Sequence, residues 1–294
     1  MAEDGGGVLG VIGGSGLYEI PGLTGTRWER VASPFGETSD EFLFGMLGGK
    51  RVVFCPRHGR GHRIPPGEIN FRANIDALKR AGVTEILSMS AVGSLREDLA
   101  PGAFVVVDQF IDRTFARAKS FFGSGMVAHV SMARPVCARL GAAIEAAAGV
   151  EGIAAVRGGT YLAMEGPQFS SIAESGLYRA LGADVIGMTN MPEAKLAREA
   201  EMCYATVAMV TDYDCWHPDH DHVSVDAVIA HLLANAERAR GLVARLAPAL
   251  IHGPDPCPEG CHRALDHALI TAPEARDPEV LARLDAVAGR VLGR

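Results

Sequence analysis

Residues 205–216, ATVAMVTDYDCW, constrain the fold more than any other stretch. Ala205, Val207, Ala208, Met209 and Val210 form an apolar run suited to a strand buried on both faces, the usual state in a parallel sheet. Asp212 and Asp214 close it. In open α/β sheets the ligand crevice lies just outside the carboxyl ends of the strands. In an extended backbone these two acids point the same way, and two like charges held close raise one pKa. A carboxyl that keeps its proton near neutrality serves as a general acid. The same residues read equally well as a helix N-cap followed by a solvated loop acid.

Similar runs recur along the chain. Residues 8–16, VLGVIGGSG, feed a glycine turn in which Ser15 adds a hydroxyl to closely approaching N–H groups. The turn matches neither GxGxxG nor the Walker A pattern, so it reads as a strand-to-loop turn or an anion site. Residues 42–47 and 51–55 predict a hairpin around Gly48-Gly49. The segment 56–66, PRHGRGHRIPP, then gathers Arg57, His58, Arg60, His62 and Arg63. In a chain of net charge −7 such a basic loop favours anion binding over a merely solvated face.

Residues 70–81 carry helical periodicity, with Gly82 as the stop. Strands are expected at 85–90, 104–108, 160–165 and 184–188, and helices at 135–150, 170–181 and 225–246. Pro192 opens a further helix to about 203, with Glu193 favourable to its dipole. Residues 111–126 read as a long loop, of the kind that serves function or an interface. Alternating strands and helices predict an α/β fold: one domain with a central mixed, largely parallel sheet flanked by helices. The turns at Ser15, Arg57-His58, Ser90-Ala91, Met188-Thr189 and Asp212 are expected to converge on one pocket at the sheet edge. Three prolines within 251–260 suggest a linker. The expected division is therefore a domain over 1–250 and a linker with a helical extension over 251–294.

The acidic balance argues against a nucleic-acid-binding protein. No run of about 20 apolar residues is present to span a bilayer. The chain opens without a secretory signal, and its 6 cysteines are dispersed, so a reduced, cytoplasmic setting is expected. Cys257, Cys261, His262 and His252 invite a zinc reading. Their C-x3-C-H spacing lacks a clear second ligand pair, and no metal is expected.

Several separated segments then carry a resemblance: GVIGGSGLY, PRHGRGHRIPP, SAVGSLREDLAPG, DQFIDRT, EGPQFSS, GADVIGMTNMPEA and TDYDCW. From about Val8 to about Leu246 the chain resembles the S-methyl-5′-thioadenosine phosphorylases of the trimeric purine nucleoside phosphorylase family. The resemblance implies phosphorolysis of methylthioadenosine to adenine and 5-methylthioribose 1-phosphate in a homotrimer, with inorganic phosphate as co-substrate and no cofactor. It implies that Ser15, Arg57, His58, Ser90, Ala91 and Thr189 hold phosphate and that Met188 packs under the ribose. Phe169 and Ser170 would line the base pocket, and Asp212 and Asp214 would contact adenine, with Asp212 as the acid. Val225, Val228 and Ile229 would receive the methylthio group, and His129 would reach into a neighbouring subunit's site. Gln168 stands where many relatives have arginine, and Ser15 and Ser90 stand where threonine is common, with the hydroxyl kept. The same chemistry on 6-oxopurine nucleosides or methylthioinosine, and a non-catalytic adenosine-binding module, are the competing readings.

Overall fold

The computed structural model describes residues 7–14, 16–218, 225–250 and 257–293; the side chains at 225–230 and 232 are outside that description. The strands are β1 (Val8–Gly13), β2 (Leu23–Glu29), β3 (Phe42–Leu47), β4 (Lys50–Pro56), β5 (Val83–Ser94), β6 (Phe104–Val107), β7 (Gln109–Asp112), β8 (Ala155–Arg157), β9 (Thr160–Ala163), β10 (Val185–Gly187) and β11 (Cys203–Asp212). The helices are α1 (Phe71–Arg80), α2 (Ala138–Val150), α3 (Ile172–Ala180), α4 (Glu193–Glu199), α5 (Val225–Ala249), α6 (Pro278–Arg283) and α7 (Asp285–Leu292).

All the strands join one mixed sheet, as the alternation of elements predicts. β3 and β4 form the expected hairpin, with Leu47 opposite Lys50. Gly48 and Gly49 both take positive φ, which a two-residue turn of the favoured hand requires. Elsewhere β5 organises the sheet. It pairs in parallel with β1 on one edge and β11 on the other, and antiparallel with β10 at its end. β1 stays with β5 only as far as Ser88, and β10 takes up the same role only at Gly93. Residues 89–92 of β5 therefore leave an edge free between two partners, and a cavity opens there.

Side chains alternate across β11. Tyr204, Ala208 and Val210 enter one core layer with α1, α4 and α7. Cys203, Ala205, Val207 and Met209 enter the other with α2 and α5. Helices thus cover both faces, and an apolar run without polar alternation is what such a strand needs. Local signals fix the helix starts. The Asn70 side chain accepts from the Ala73 N–H, and Ser171 with Glu174 forms a capping box.

Four strands differ from the sequence expectation. β5 runs well beyond residue 90, so Ser90 and Ala91 sit within a strand and not at its end. β2, mostly exposed, and β8, only three residues long, are edge strands without a strong apolar pattern. The segment read as a loop from residue 111 begins in β7, which pairs with β9. The C-terminal segment packs back onto the sheet layers. Leu265, Ala268, Leu284, Val287 and Ala288 join one core layer, and Cys257 and Cys261 the other. Among the described residues no helix is long and apolar enough to cross a membrane.

Candidate active site

A cavity of about 720 Å3 lies along the free edge of β5. Residues 89–93 form one wall, and Arg57, His58, Met188, Thr189, Phe169, Asp212 and Asp214 also line it. The convergence expected from the sequence thus holds for Arg57-His58, Ser90-Ala91, Met188-Thr189 and Asp212. Ser15 lies outside the described residues; its neighbour Gly14 lines the cavity. Val225, Val228 and Ile229 lie on α5, with side chains outside the description. Ser170 is not in the cavity wall; its carbonyl accepts from the Cys215 thiol at 3.3 Å. His129 borders a separate recess with Lys119, Lys195 and Glu199.

At one end the Arg57 guanidinium is buried and almost fully engaged. Nε donates to Glu193 Oε2 (2.9 Å) and Nη1 to the Met89 carbonyl (3.0 Å). Nη2 donates to Ser88 Oγ (2.5 Å) and Glu193 Oε1 (3.2 Å). Four of its five N–H groups are used, leaving one on Nη1. Burial alone would raise the Glu193 carboxyl, but Arg57 overrides it and holds it below the ordinary value. Ser88 (2.6 Å) and Tyr204 (2.9 Å) donate to the same carboxylate. The sequence reading gave Glu193 only a helix-dipole role. Its position at the first turn of α4, behind a proline, carries no sign of a partner far away in sequence.

The basic loop is accordingly not a free cationic cage. Arg60 leaves it to pair with Asp40 (2.8 Å) and Glu41 (3.0 Å). His58 is held neutral: burial and then the Arg57 charge push its pKa down to about 4. Its Nδ1 lies 2.9 Å from the Ile64 carbonyl, which can only accept, so Nδ1 carries the hydrogen and Nε2 is an acceptor. This burial has a consequence for stability. The folded ring resists a proton that the unfolded chain takes up at its ordinary 6.5. Stability should therefore fall as pH drops from about 6.5 to about 4, by about 3 kcal/mol in total. Denaturant unfolding of wild type and His58→Asn across that window should show this slope in the difference between the two, since the opposing contribution of Glu199, raised by burial to about 7, is common to both.

Hydroxyls form the adjoining wall. Ser90 Oγ lies 2.8 Å from Thr189 Oγ1 and 3.1 Å from Tyr161 Oη. Tyr161 is fully buried, and the sequence reading missed it as one more residue of an apolar strand. Arg117, from the long loop, fixes the neighbouring turns. Its Nη1 donates to the Met188 (2.8 Å) and Met191 (2.7 Å) carbonyls, and its Nε to Glu165 (2.9 Å).

At the other end stand the two aspartates. The strand does not continue through them. β11 ends at Asp212, and Asp214 turns into the left-handed region at φ 53°, so the two do not share a simple strand face. Both carboxyls are raised above their ordinary value, chiefly by burial, with the Asp214 charge a lesser cause for Asp212. Asp212 Oδ1 accepts from the Asp214 N–H at 2.8 Å. Oδ2 lies 2.7 Å from Thr211 Oγ1, which also reaches the Val92 carbonyl at 3.2 Å. The single Thr211 proton serves only one of these acceptors. Turned to Val92, it leaves Oδ2 free to hold a proton of its own.

A guanidinium with one spare N–H, a neutral imidazole and hydroxyls at one end of a cavity, with largely buried acids at the other, suit an enzyme that transfers a group between an anion and a base. The chain belongs to the phosphorylase superfamily, whose family model matches residues 8–248. It is similar to the S-methyl-5′-thioadenosine phosphorylase of Rhodospirillum rubrum, 66% identical over 286 residues and covering 97% of each chain. The crystal structure of a methylthioadenosine phosphorylase from an Antarctic soil metagenomic library superposes with a TM-score of 0.90 at 47% identity, covering 95% of this chain and 98% of that one. The methylthioadenosine phosphorylase of Schistosoma mansoni in complex with adenine gives a TM-score of 0.79 at 40% identity, covering 84% of this chain and 93% of that one.

Proposed function

We propose that this chain cleaves S-methyl-5′-thioadenosine with inorganic phosphate, giving adenine and 5-methylthioribose 1-phosphate. The observation that carries the proposal is the placement of Arg57, His58, Ser90 and Thr189 in the same cavity as Asp212 and Asp214. The relatives above bear that enzyme's name over nearly the whole chain.

The bond from C1′ to N9 breaks, and a phosphate oxygen bonds to C1′ through a ribosyl cation-like state. Phosphate is held by the remaining Arg57 N–H, by Ser15, Ser90 and Thr189, and by the Ala91 N–H on the free edge of β5. The neutral His58 accepts the hydrogen of hydrogen phosphate at Nε2. Asp212 gives its proton to N7 of the departing purine, on which negative charge develops. His58 passes that proton to solvent and stays neutral, and Asp212 regains one from solvent, so the proton gained by adenine equals the one that hydrogen phosphate gives up. Atoms and charge therefore balance without a metal or organic cofactor.

Asp214 accepts from the exocyclic amine, which a 6-oxopurine lacks. Phe169 covers the base with Ser170 at its side, and Met188 packs under the ribose. Val225, Val228 and Ile229 form an apolar seat for the methylthio group. Three copies assemble in the cytoplasm, and His129 of each reaches the site of its neighbour.

Incubation with methylthioadenosine, with and without phosphate, tests the reading: adenine should appear only with phosphate and faster than hypoxanthine from inosine. Release without phosphate, or a preference for inosine, would overturn it. The hydroxyl wall gives a smaller effect. Tyr161→Phe removes one hydrogen-bond partner of Ser90, worth about 1 kcal/mol. It should raise the KM for phosphate several-fold while leaving the KM for methylthioadenosine unchanged, as steady-state kinetics with each substrate varied would show.

A further inference from the structure

Four cysteines unrelated to the reaction meet at the opposite end of β11. Cys137, Cys203, Cys257 and Cys261 are all buried, and their sulfurs lie within 4.8 Å of one another. The sulfurs of Cys137 and Cys257 are 3.8 Å apart, and none of the four is in a disulfide. A zinc ion with bonds of about 2.3 Å to four thiolates sets the sulfurs about 3.8 Å apart. The second ligand pair that C-x3-C lacks in the sequence is supplied by the residue before α2 and the first residue of β11. His262 is not one of the four, and His252 lies outside the described residues.

The surroundings suit thiolates. Cys137 is the N-cap of α2, where the helix dipole favours a thiolate. Arg139 Nη2 lies 3.6 Å from the Cys203 sulfur. Arg198 Nη1 lies 3.9 Å from the Cys261 sulfur. Arg139 also pairs with Glu85, but Lys50 meets that carboxylate at 3.3 Å, so one positive charge remains in excess. Four thiolates and one divalent zinc carry a charge of −2, which Arg139 and Arg198 together offset. Four neutral thiols would leave this excess positive charge facing only weak sulfur acceptors.

We infer that Cys137, Cys203, Cys257 and Cys261 form a tetrahedral structural zinc site. All four positions are taken by protein, so no open position exists for catalysis. The ion ties the C-terminal segment to the starts of α2 and β11. Asp212 stands at the far end of that strand, nine residues on and about 30 Å from Cys203. Metal loss should therefore act on stability before it acts on chemistry.

The reduced full-length protein, reconstituted with zinc and passed through a desalting column, should carry one zinc ion per chain by elemental analysis. Cobalt(II) in its place should give the intense sulfur-to-metal charge-transfer bands of a tetrahedral thiolate site. Cys257→Ser should lose the ion and lower Tm by about 10 °C, whereas Cys215→Ser, outside the cluster, should keep it. Should Cys257→Ser fail to fold, mercurial titration of the native protein gives the same information, since zinc should be released as four thiols react. A reduced protein that binds no zinc, an ion retained after Cys257→Ser, or two disulfides joining these cysteines in protein kept reduced would each overturn the inference.

Discussion

Asp212→Asn is expected to lower kcat/KM for methylthioadenosine by about 10²- to 10⁴-fold, the range for removal of a general acid. The carboxyl is raised above its ordinary value of 3.8, chiefly by burial. In the proposed mechanism the protonated form is the active one, so the wild-type rate should decline as pH rises through that raised value. The limb should be missing from the variant, whose amide does not titrate. An asparagine amide donates without transferring a proton, and it suits the carbonyl of a 6-oxopurine. Phosphorolysis of inosine should therefore fall less than that of methylthioadenosine and can rise in absolute terms. The measurement is a pH profile of kcat/KM for both nucleosides. An unchanged basic limb in the variant would remove Asp212 from the role of acid.

The second large effect concerns the pair beneath the phosphate end. Arg57 and Glu193 have side chains only 3% and 2% exposed. Such a pair adds little over well-packed apolar residues, but removing one partner strands a charge in the interior. Glu193→Ala should therefore cost about 3–5 kcal/mol of stability, a fall in Tm of about 10 °C. Tyr204 and Ser88 lose their shared acceptor in the same step. The double variant Arg57→Met, Glu193→Leu removes both charges and should recover much of the Tm. It should not recover phosphate use, since the remaining N–H of Arg57 is gone. Thermal melts set beside phosphate KM values separate the two roles. A double variant with near-normal phosphate kinetics would show that Arg57 acts only as scaffold.

What was legible in the sequence follows from how local each signal is. The Gly48-Gly49 hairpin, the helix stopped by Gly82 and the apolar run of β11 each depend on a few adjacent residues, and each stands where expected. The cavity wall was legible in part, because Arg57-His58, Met188-Thr189 and Asp212 each follow an apolar run. Long-range pairings were not. Glu193 meets Arg57 from 136 residues away in the chain, and nothing beside either residue names the other. The four cysteines are recognisable as a set only once α2, β11 and the C-terminal segment are brought together. β5 was cut short because Ser90, Ala91, Gly93 and Ser94 look like a turn. The Ser90 and Ser94 hydroxyls are instead buried, the first in the hydrogen-bond network of the site. The same cause hid the geometry of the aspartates, since a strand pattern cannot show that Asp214 turns to positive φ.

The central claim is that phosphate itself is the nucleophile at C1′. Turnover of methylthioadenosine with phosphate fully labelled in ¹⁸O, followed by mass spectrometry of the sugar product, tests it most directly. The account predicts 5-methylthioribose 1-phosphate that retains every label, formed in equal amount with adenine. Free 5-methylthioribose, with oxygen from water at C1′ and the labelled phosphate left unchanged, would contradict it.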